Sequence, residues 1–352
     1  MTDELFYPFA SIVEDMVRGI HSNGQVNTDQ FCYFLCRVFD SFGGEPYLQG
    51  SLLKLLTAAQ STPLSGELDH CGRCVLKSAA LRHAGLDVLR WLQAKQLLDI
   101  HVIDNREENS IFEVLRRTGG ASEEDDDILQ WIIEQNVHPA RQNALGLQPI
   151  HAAALHCKPD AVIQLCHAGV DANAPTDGNV SPSLQQLVSF HTDDPYIMGV
   201  AGSSPLHLAF YTRQAISQRL VAALLATGAD LTRVNCRGST PISVLFDWQS
   251  FYCATHPMHD SSHEVWRHTL HAVVAKLGLM TLTLGARQAV SPSRWAMVTD
   301  MLHQDKVNMN FVPSLKTYCW LNIRKTLGGQ HFRAKVASLP VPGKVQHFLT
   351  VL

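Results

Sequence analysis

Apolar residues recur at every fourth position near the end of the chain. On an α-helix this spacing drifts by about 40° per step, so the four side chains form one stripe along a single face. The stripe consists of Leu315, Cys319, Ile323 and Leu327, and the pair Gly328-Gly329 after it is predicted to end the helix. Because little protein remains beyond this helix to cover it, we expect the stripe to bind another protein.

A second pattern, Leu339-Pro340-Val341-Pro342, follows after a short gap. Each proline fixes its own φ angle, and the residue before it is pushed towards an extended conformation. The pattern therefore predicts a stiff strand whose apolar side chains can dock on a partner at little entropic cost. The helical stripe then resumes at Val345, Phe348 and Leu349.

The first of these patterns resembles the Elongin-binding helix of the SOCS box, with Ser314-Leu315 followed at spacings of four by Cys319 and Ile323. The resemblance implies that Leu315 enters an apolar pocket of Elongin C and that Cys319 packs beside it as a small hydrophobic residue. Ile323 and Leu327 would complete the Elongin-binding face, with Elongin B alongside.

The second pattern resembles the cullin box that follows in the same family. The resemblance implies that Leu339, Pro340, Val341 and Pro342 bind a cullin of the cullin-five type, which carries a RING subunit. The chain departs from the family at two positions. Trp320 stands where a basic residue is common, and Phe348 stands where a tyrosine is usual.

Upstream, a motif with proline, an apolar residue, histidine and alanine occurs at residues 146–153 and 202–209, and it begins again at 238–242. The first two copies are followed by Gly-x-Asp at 169–171 and 228–230, and weaker copies start near residues 74 and 110. These segments resemble ankyrin repeats. The resemblance implies that the proline starts a first helix, that His151 and His207 tie the turn by hydrogen bonds, and that a glycine caps the second helix.

The expected fold is all-α: about five to six helix-pair ankyrin repeats with β-hairpin loops, followed by a helical SOCS box. Residues 1–66 are predicted to form a helical cap or a divergent repeat, and residues 67–290 the ankyrin repeats. Residues 291–312 would form a capping helix and linker, and residues 313–352 the SOCS box.

Composition narrows the possible partners. Of 352 residues, 17% are charged and 46% hydrophobic, and the net charge of −4 gives no reason to expect nucleic-acid binding. No run of eighteen apolar residues is present, so no membrane span is expected. The nine cysteines fall mostly within helical patterns, which indicates reduced thiols in the cytoplasm or nucleus.

Three clusters have alternative interpretations. Cys71-x-x-Cys74 beside His70 has the spacing of half a zinc site, but structural thiols are the preferred interpretation. The acidic run at 122–127 is expected to be a solvated loop between two helices. A third group, which consists of Cys253, His256, His259 and His263, has ligand types and spacings that would permit a zinc-dependent module. This region also resembles a polar insertion.

The insertion from about residue 177 to residue 201 is the best candidate for target binding, with Tyr196, Ile197 and Met198 as contacts. A tolerated surface loop is the alternative.

The chain contains none of the nucleophile, phosphate-loop or dinucleotide motifs of enzymes, so no active site and no cofactor are expected. The predicted function is substrate recognition within a SOCS-box ubiquitin ligase; a plain ankyrin scaffold is the alternative.

Overall fold

The computed structural model describes residues 26–42, 64–65, 69–117, 123–177, 201–211, 217–241, 243–244 and 315–350. The chain forms two compact units, residues 1–137 and residues 138–352. The described parts are almost entirely helical, as predicted, and none of their helices is long and apolar enough to cross a membrane.

The first unit consists of stacked helices and one short strand pair. Strand β1 pairs in parallel with β2, helix α1 packs on α2, α2 packs on α4, and α3 packs on α5. Helices at equivalent positions of successive pairs are therefore neighbours, as in an array in which no single pair can bury its apolar face. The elements are β1 (Val26–Asn27), α1 (Thr28–Phe42), β2 (Leu64–Ser65), α2 (His70–His83), α3 (Leu86–Ala94), α4 (Ser110–Leu115) and α5 (Glu123–Glu134).

The acidic run is not the solvated loop that the sequence predicts. Its residues Glu123 to Asp126 form the first turn of α5. Negative side chains are favourable there because they face the positive end of the helix dipole. Arg117 adds an ion pair, with its Nε 2.5 Å from a carboxylate oxygen of Asp125.

The Cys-x-x-Cys pair of Cys71 and Cys74 is only partly buried. Cys71 is exposed on α2, whereas Cys74 is half-buried, with its Sγ 3.6 Å from Nε2 of His70. Burial raises the pKa of the Cys74 thiol above its usual value. The interpretation as structural thiols therefore fits Cys74 better than Cys71, which does not pack in the core.

The second unit repeats the arrangement of the first. Helix α6 packs on α7 and on α8, while α9 packs on α7 and on α8. Proline occupies the first helical position of α6 and α7, as the sequence motif predicts for Pro149. The elements are α6 (Pro149–Leu155), α7 (Pro159–His167), α8 (Pro205–Tyr211), α9 (Gln218–Ala226), α10 (Leu315–Leu327), α11 (Phe332–Ala337) and α12 (Gly343–Thr350).

The glycines predicted to cap the second helices do so. Gly169 and Gly228 have φ angles of 96° and 105°, in the region that only glycine adopts easily. Each donates its N–H to the carbonyl three residues earlier, Cys166 or Leu225, at 3.1 Å. The residue after each glycine donates to the carbonyl five residues earlier, which completes a Schellman motif.

The two motif histidines are fully buried and tie successive helix pairs together. His151 accepts a hydrogen bond at Nδ1 from the Gln148 N–H (2.9 Å), and its Nε2 lies 2.9 Å from the Ala174 carbonyl oxygen. His207 bonds the Ser204 N–H (3.0 Å) and the Ser239 carbonyl (3.0 Å) in the same way. Because Nδ1 must accept, Nε2 carries the proton and donates. Burial lowers the pKa of each imidazole to about 4.

Three loops are closed by the same set of hydrogen bonds, made by Asp104, Asn143 and Asn235. In each loop, one side-chain oxygen accepts from the N–H groups two and four residues later, at 2.8 to 3.0 Å. The same residue also exchanges two backbone bonds across the turn, at 2.9 to 3.2 Å.

The described residues contain no β-hairpin, so the expected hairpin loops are tight turns. The physical reason is that the side chain captures N–H groups a strand ladder would need.

A fourth loop is closed by both backbone bonds and one of the two side-chain bonds of this set, with an insertion at its tip. The Thr176 N–H donates to the Ser203 carbonyl and the Gly202 N–H donates to the Thr176 carbonyl, both at 2.9 Å. The Ser203 N–H donates to Oγ1 of Thr176 at 3.1 Å. Thr176 thus takes the place of Asn143 in the neighbouring loop, although its closing partners lie more than 25 residues away in the chain.

Replacing Asn143 with alanine is expected to lower the free energy of unfolding by about 1–2 kcal/mol, because two N–H groups at a buried site lose their acceptor. Aspartate at the same position should retain most of the stability, since Asp104 already makes these bonds in the first unit. Urea unfolding of both variants is the measurement. Equal losses for alanine and aspartate would show that the side-chain oxygen is not what closes the loop.

Candidate functional site

Helix α10 has an exposed apolar face. Cys319 is exposed and Ile323, one turn later, is 37% exposed, while Leu327 is half-buried. Leu315 is the first residue of α10, and its side chain lies outside the part that the structure describes. The predicted stripe is therefore helical, and two of its members are open to a partner.

The opposite face of α10 is buried by two residues that the sequence analysis did not select as site residues. Trp320 is 5% exposed and Arg324 is 6% exposed. The indole N–H of Trp320 donates to the Phe348 carbonyl at 3.1 Å. Their spacing of four, one position after Cys319 and Ile323, is a signal that could have identified this second face.

Arg324 joins three parts of the second unit. Its Nη1 donates to the Leu349 carbonyl in the last turn of α12 at 2.7 Å, and its Nη2 donates to the Leu225 carbonyl in the last turn of α9. The guanidinium also lies 4.5 Å from the ring centres of both Trp320 and Phe332.

The charge of Arg324 suits these neighbours. Two helix carboxyl ends present partial negative charge, and two aromatic rings present their electron-rich faces. Burial lowers the pKa of the guanidinium to about 10, with Asp230 acting in the opposite direction. Arg324 therefore remains a cation near neutral pH.

The glycine pair ends α10 as predicted. Gly328 has a φ angle of 69°, and its N–H donates to the Arg324 carbonyl at 3.0 Å. The ammonium group of Lys335 on α11 donates to the Leu327 carbonyl at 2.8 Å. The last carbonyls of α10 thus receive partners from the next helix.

The segment of Leu339, Pro340, Val341 and Pro342 is not the extended strand that the prolines predict. It bends between α11 and α12, and the Val341 N–H donates to the Leu339 carbonyl at 2.8 Å. The side-chain amide of Gln346 also donates to the Leu339 carbonyl, at 3.1 Å. These bonds close a turn that local proline preferences do not encode. Pro340 and Pro342 are exposed.

The target-binding candidates Tyr196, Ile197 and Met198 lie outside the described residues. The same holds for the candidate zinc ligands Cys253, His256, His259 and His263.

Three described carboxylates lie close together in the first unit, with oxygens of Asp104, Glu108 and Glu113 within 4.8 Å of one another. The Arg116 Nη1 lies 2.6 Å from Glu108, and the Arg82 Nε lies 2.6 Å from Glu113. Two guanidinium groups therefore balance this cluster, which we interpret as an ion-pair network.

Comparison with known proteins agrees with this geometry. The family model of the SOCS box matches residues 311–350, which contain α10, α11 and α12. A search of curated proteins found no match to the chain. Residues 311–350 are a SOCS box, the element that associates with Elongin B, Elongin C and cullin–RING ubiquitin ligases.

Proposed function

We propose that this protein is a substrate-recognition subunit of a cullin–RING ubiquitin ligase. The observation that carries the proposal is the division of α10 into two faces within a matched SOCS box. Trp320 and Arg324 anchor the helix, and this leaves Cys319 and Ile323 exposed for Elongin C. Leu315 and Leu327 extend the same stripe by spacing.

We propose that the helix pairs are ankyrin repeats that hold the target. Four features support this interpretation: prolines at the first helical positions, buried histidines, Schellman glycines and loops of one closure type. The same loop closure occurs in each unit, so we propose that both units contain such repeats.

Target binding is proposed for the loop tips. The two ends of the 177–201 insertion lie among neighbouring loops, since the Asp177 N–H donates to the Gly146 carbonyl (3.0 Å) and the Cys236 N–H to the Ala201 carbonyl (2.9 Å). Long insertions at such tips are often functional. Tyr196, Ile197 and Met198 within it remain the proposed contacts.

The mechanism we propose is proximity rather than side-chain chemistry. The array holds a target, Elongin B and Elongin C bind α10, and the turn at residues 339–342 engages a cullin-five type cullin with its RING subunit. A target lysine then meets the charged ubiquitin-conjugating enzyme at a high effective concentration, which directs the target to degradation. Each described cysteine is a free thiol, in keeping with a proposed location in the cytoplasm or nucleus.

The test is co-expression of the chain with Elongin B and Elongin C, followed by co-purification. We expect a stoichiometric complex with the wild-type chain and loss of the complex in the double variant Leu315→Ala, Cys319→Ala. The exposed residue Lys344 on α12 provides a control, and Lys344→Ala should leave the complex intact. A folded wild-type chain that forms no complex would exclude the ligase function.

One observation favours the second candidate, an ankyrin scaffold with no ligase role. The anchoring of α10 by Trp320 and Arg324 would also be expected of a helix that only covers the array. The same co-purification separates the two functions, because a covering helix has no reason to bind Elongin C through Cys319.

A further inference from the structure

Gly329, just after α10, is buried against the loop that follows α7. A Cβ atom at this position would lie 2.5 Å from Nδ2 of Asn173 and 3.1 Å from the backbone nitrogen of Ala172, and it would also overlap Asp171. The two side-chain atoms are held in place, since Nδ2 of Asn173 donates to the Gly228 carbonyl and Oδ1 of Asp171 accepts from the Asn173 N–H, both at 2.9 Å. The backbone nitrogen at 3.1 Å is closer than nine in ten real Cβ contacts. A larger residue than glycine would therefore have to disturb these hydrogen bonds.

Two more close approaches continue this contact along the array. A Cβ atom at Gly169 would lie 2.7 Å from Cε1 of His331, and one at Gly228 would lie 2.7 Å from Cγ of Phe332. Both glycines are the left-handed caps of second helices, α7 and α9. The SOCS box thus packs on the capped ends of two successive second helices.

The array surface that receives the SOCS box is itself cross-linked by hydrogen bonds. The Asn173 side chain donates to the Gly228 carbonyl at 2.9 Å and accepts from the Asp230 N–H at 2.7 Å. These bonds join the loop after α7 to the loop after α9. The Arg324 guanidinium then connects this surface to α10 and α12 through the Leu225 and Leu349 carbonyls.

We propose that this seam, formed by Gly169, Asn173, Gly228, Arg324 and Gly329, locks the SOCS box to the array as one rigid body, with Arg324 as a positioning residue. This inference rests on the proposed function for its consequence: the seam sets the direction in which the Elongin-facing residues Cys319 and Ile323 point relative to the target-holding loops. A flexibly linked SOCS box would present a target lysine over a wide range of positions, whereas a locked one confines that range.

The chain offers a matched pair of variants to test the lock. Gly329→Ala adds a methyl group against the array, while Gly343→Ala adds one at the start of α12, where nothing lies within 4 Å. Neither glycine has a positive φ angle, so backbone strain does not distinguish the two variants. Neither residue belongs to the Elongin-facing stripe.

The measurement is a distance distribution between spin labels at the exposed residues Arg237 and Lys344, in the full chain. The labels are attached through genetically encoded ketone residues, because Cys71, Cys236 and Cys319 are exposed native thiols. We expect one narrow distribution for the wild type and for Gly343→Ala, and a distribution several times wider for Gly329→Ala. Co-purification with Elongin B and Elongin C should be unchanged in all three proteins.

A wide distribution in the wild type would overturn the proposal, and so would a narrow one in a folded Gly329→Ala variant. If that variant fails to fold, the wild-type distribution still decides, because a flexibly linked segment gives a wide one. The distances are measured without Elongin, so loss of the proposed function and loss of the lock are distinguishable. If the chain does not bind Elongin but shows a narrow distribution, the proposed ligase function is wrong and the rigid packing of the SOCS box on the array still holds.

Discussion

Replacing Arg324 with methionine is expected to lower the free energy of unfolding of the second unit by about 2–4 kcal/mol, since two carbonyls lose a charged donor and two aromatic rings lose their cation. Methionine keeps the volume of the aliphatic stem, so the loss reports on the guanidinium rather than on a cavity. Hydrogen exchange is the measurement, and the amides of α12 and of the last turn of α9 should exchange faster together.

The control for this variant lies nine residues further along. Arg333→Met on α11 removes the same charge from an exposed side chain, and its effect on stability should stay within about 0.5 kcal/mol. Similar losses for Arg324→Met and Arg333→Met would show that the buried contacts of Arg324 contribute nothing beyond net charge.

Acid is expected to destabilise the second unit through its two motif histidines. Burial lowers the pKa of His151 and His207 to about 4, below the ordinary value of 6.5. Below pH 6.5 the unfolded chain therefore binds protons at these histidines, while the folded chain keeps them neutral. The contribution of the two neutral imidazoles to the free energy of unfolding is complete above pH 6.5. It is lost as the pH falls from 6.5 towards 4, on the order of 3 kcal/mol for each histidine over the whole window.

Urea unfolding at pH 7.5, 6 and 5 measures this dependence. Restricting the series to pH 5 and above leaves most carboxylates of ordinary pKa ionised, so the histidines dominate the slope. The double variant His151→Gln, His207→Gln should be less stable at pH 7.5 but should show a much flatter dependence. His347→Gln, at an exposed site on α12, is the control. A wild-type stability that does not fall between pH 7.5 and 5 would contradict the burial of neutral imidazoles.

Features set by local chemistry could be predicted from the sequence. Pro149 starts α6, Gly169 and Gly228 cap helices, and Gly328 ends α10, because each depends on a backbone preference of one residue. The stripe of Cys319 and Ile323 is equally local, since it depends only on helical spacing.

Features that depend on distant partners could not be predicted. Arg324 would normally be assigned to a solvated face, and its burial is explained by the carbonyls of Leu225 and Leu349, which lie 99 and 25 residues away in the chain. The bend at Leu339 depends on the side chain of Gln346, which competes with the extended preference of the residue before a proline. The sequence motifs also gave no sign that Thr176 closes its loop from the far side of an insertion.

The closure at Thr176 has a consequence for how such a protein can diversify. Because the bonds to Gly202 and Ser203 fix both ends of the insertion, the array spans the site whatever the peptide between them contains. The entropic cost of a flexible loop grows only with the logarithm of its length, by about 0.6 kcal/mol per doubling. Segments of different length and composition can therefore be exchanged between Asp177 and Ala201 while the array keeps its register. New target specificities can therefore arise at this position while the surrounding repeats stay unchanged.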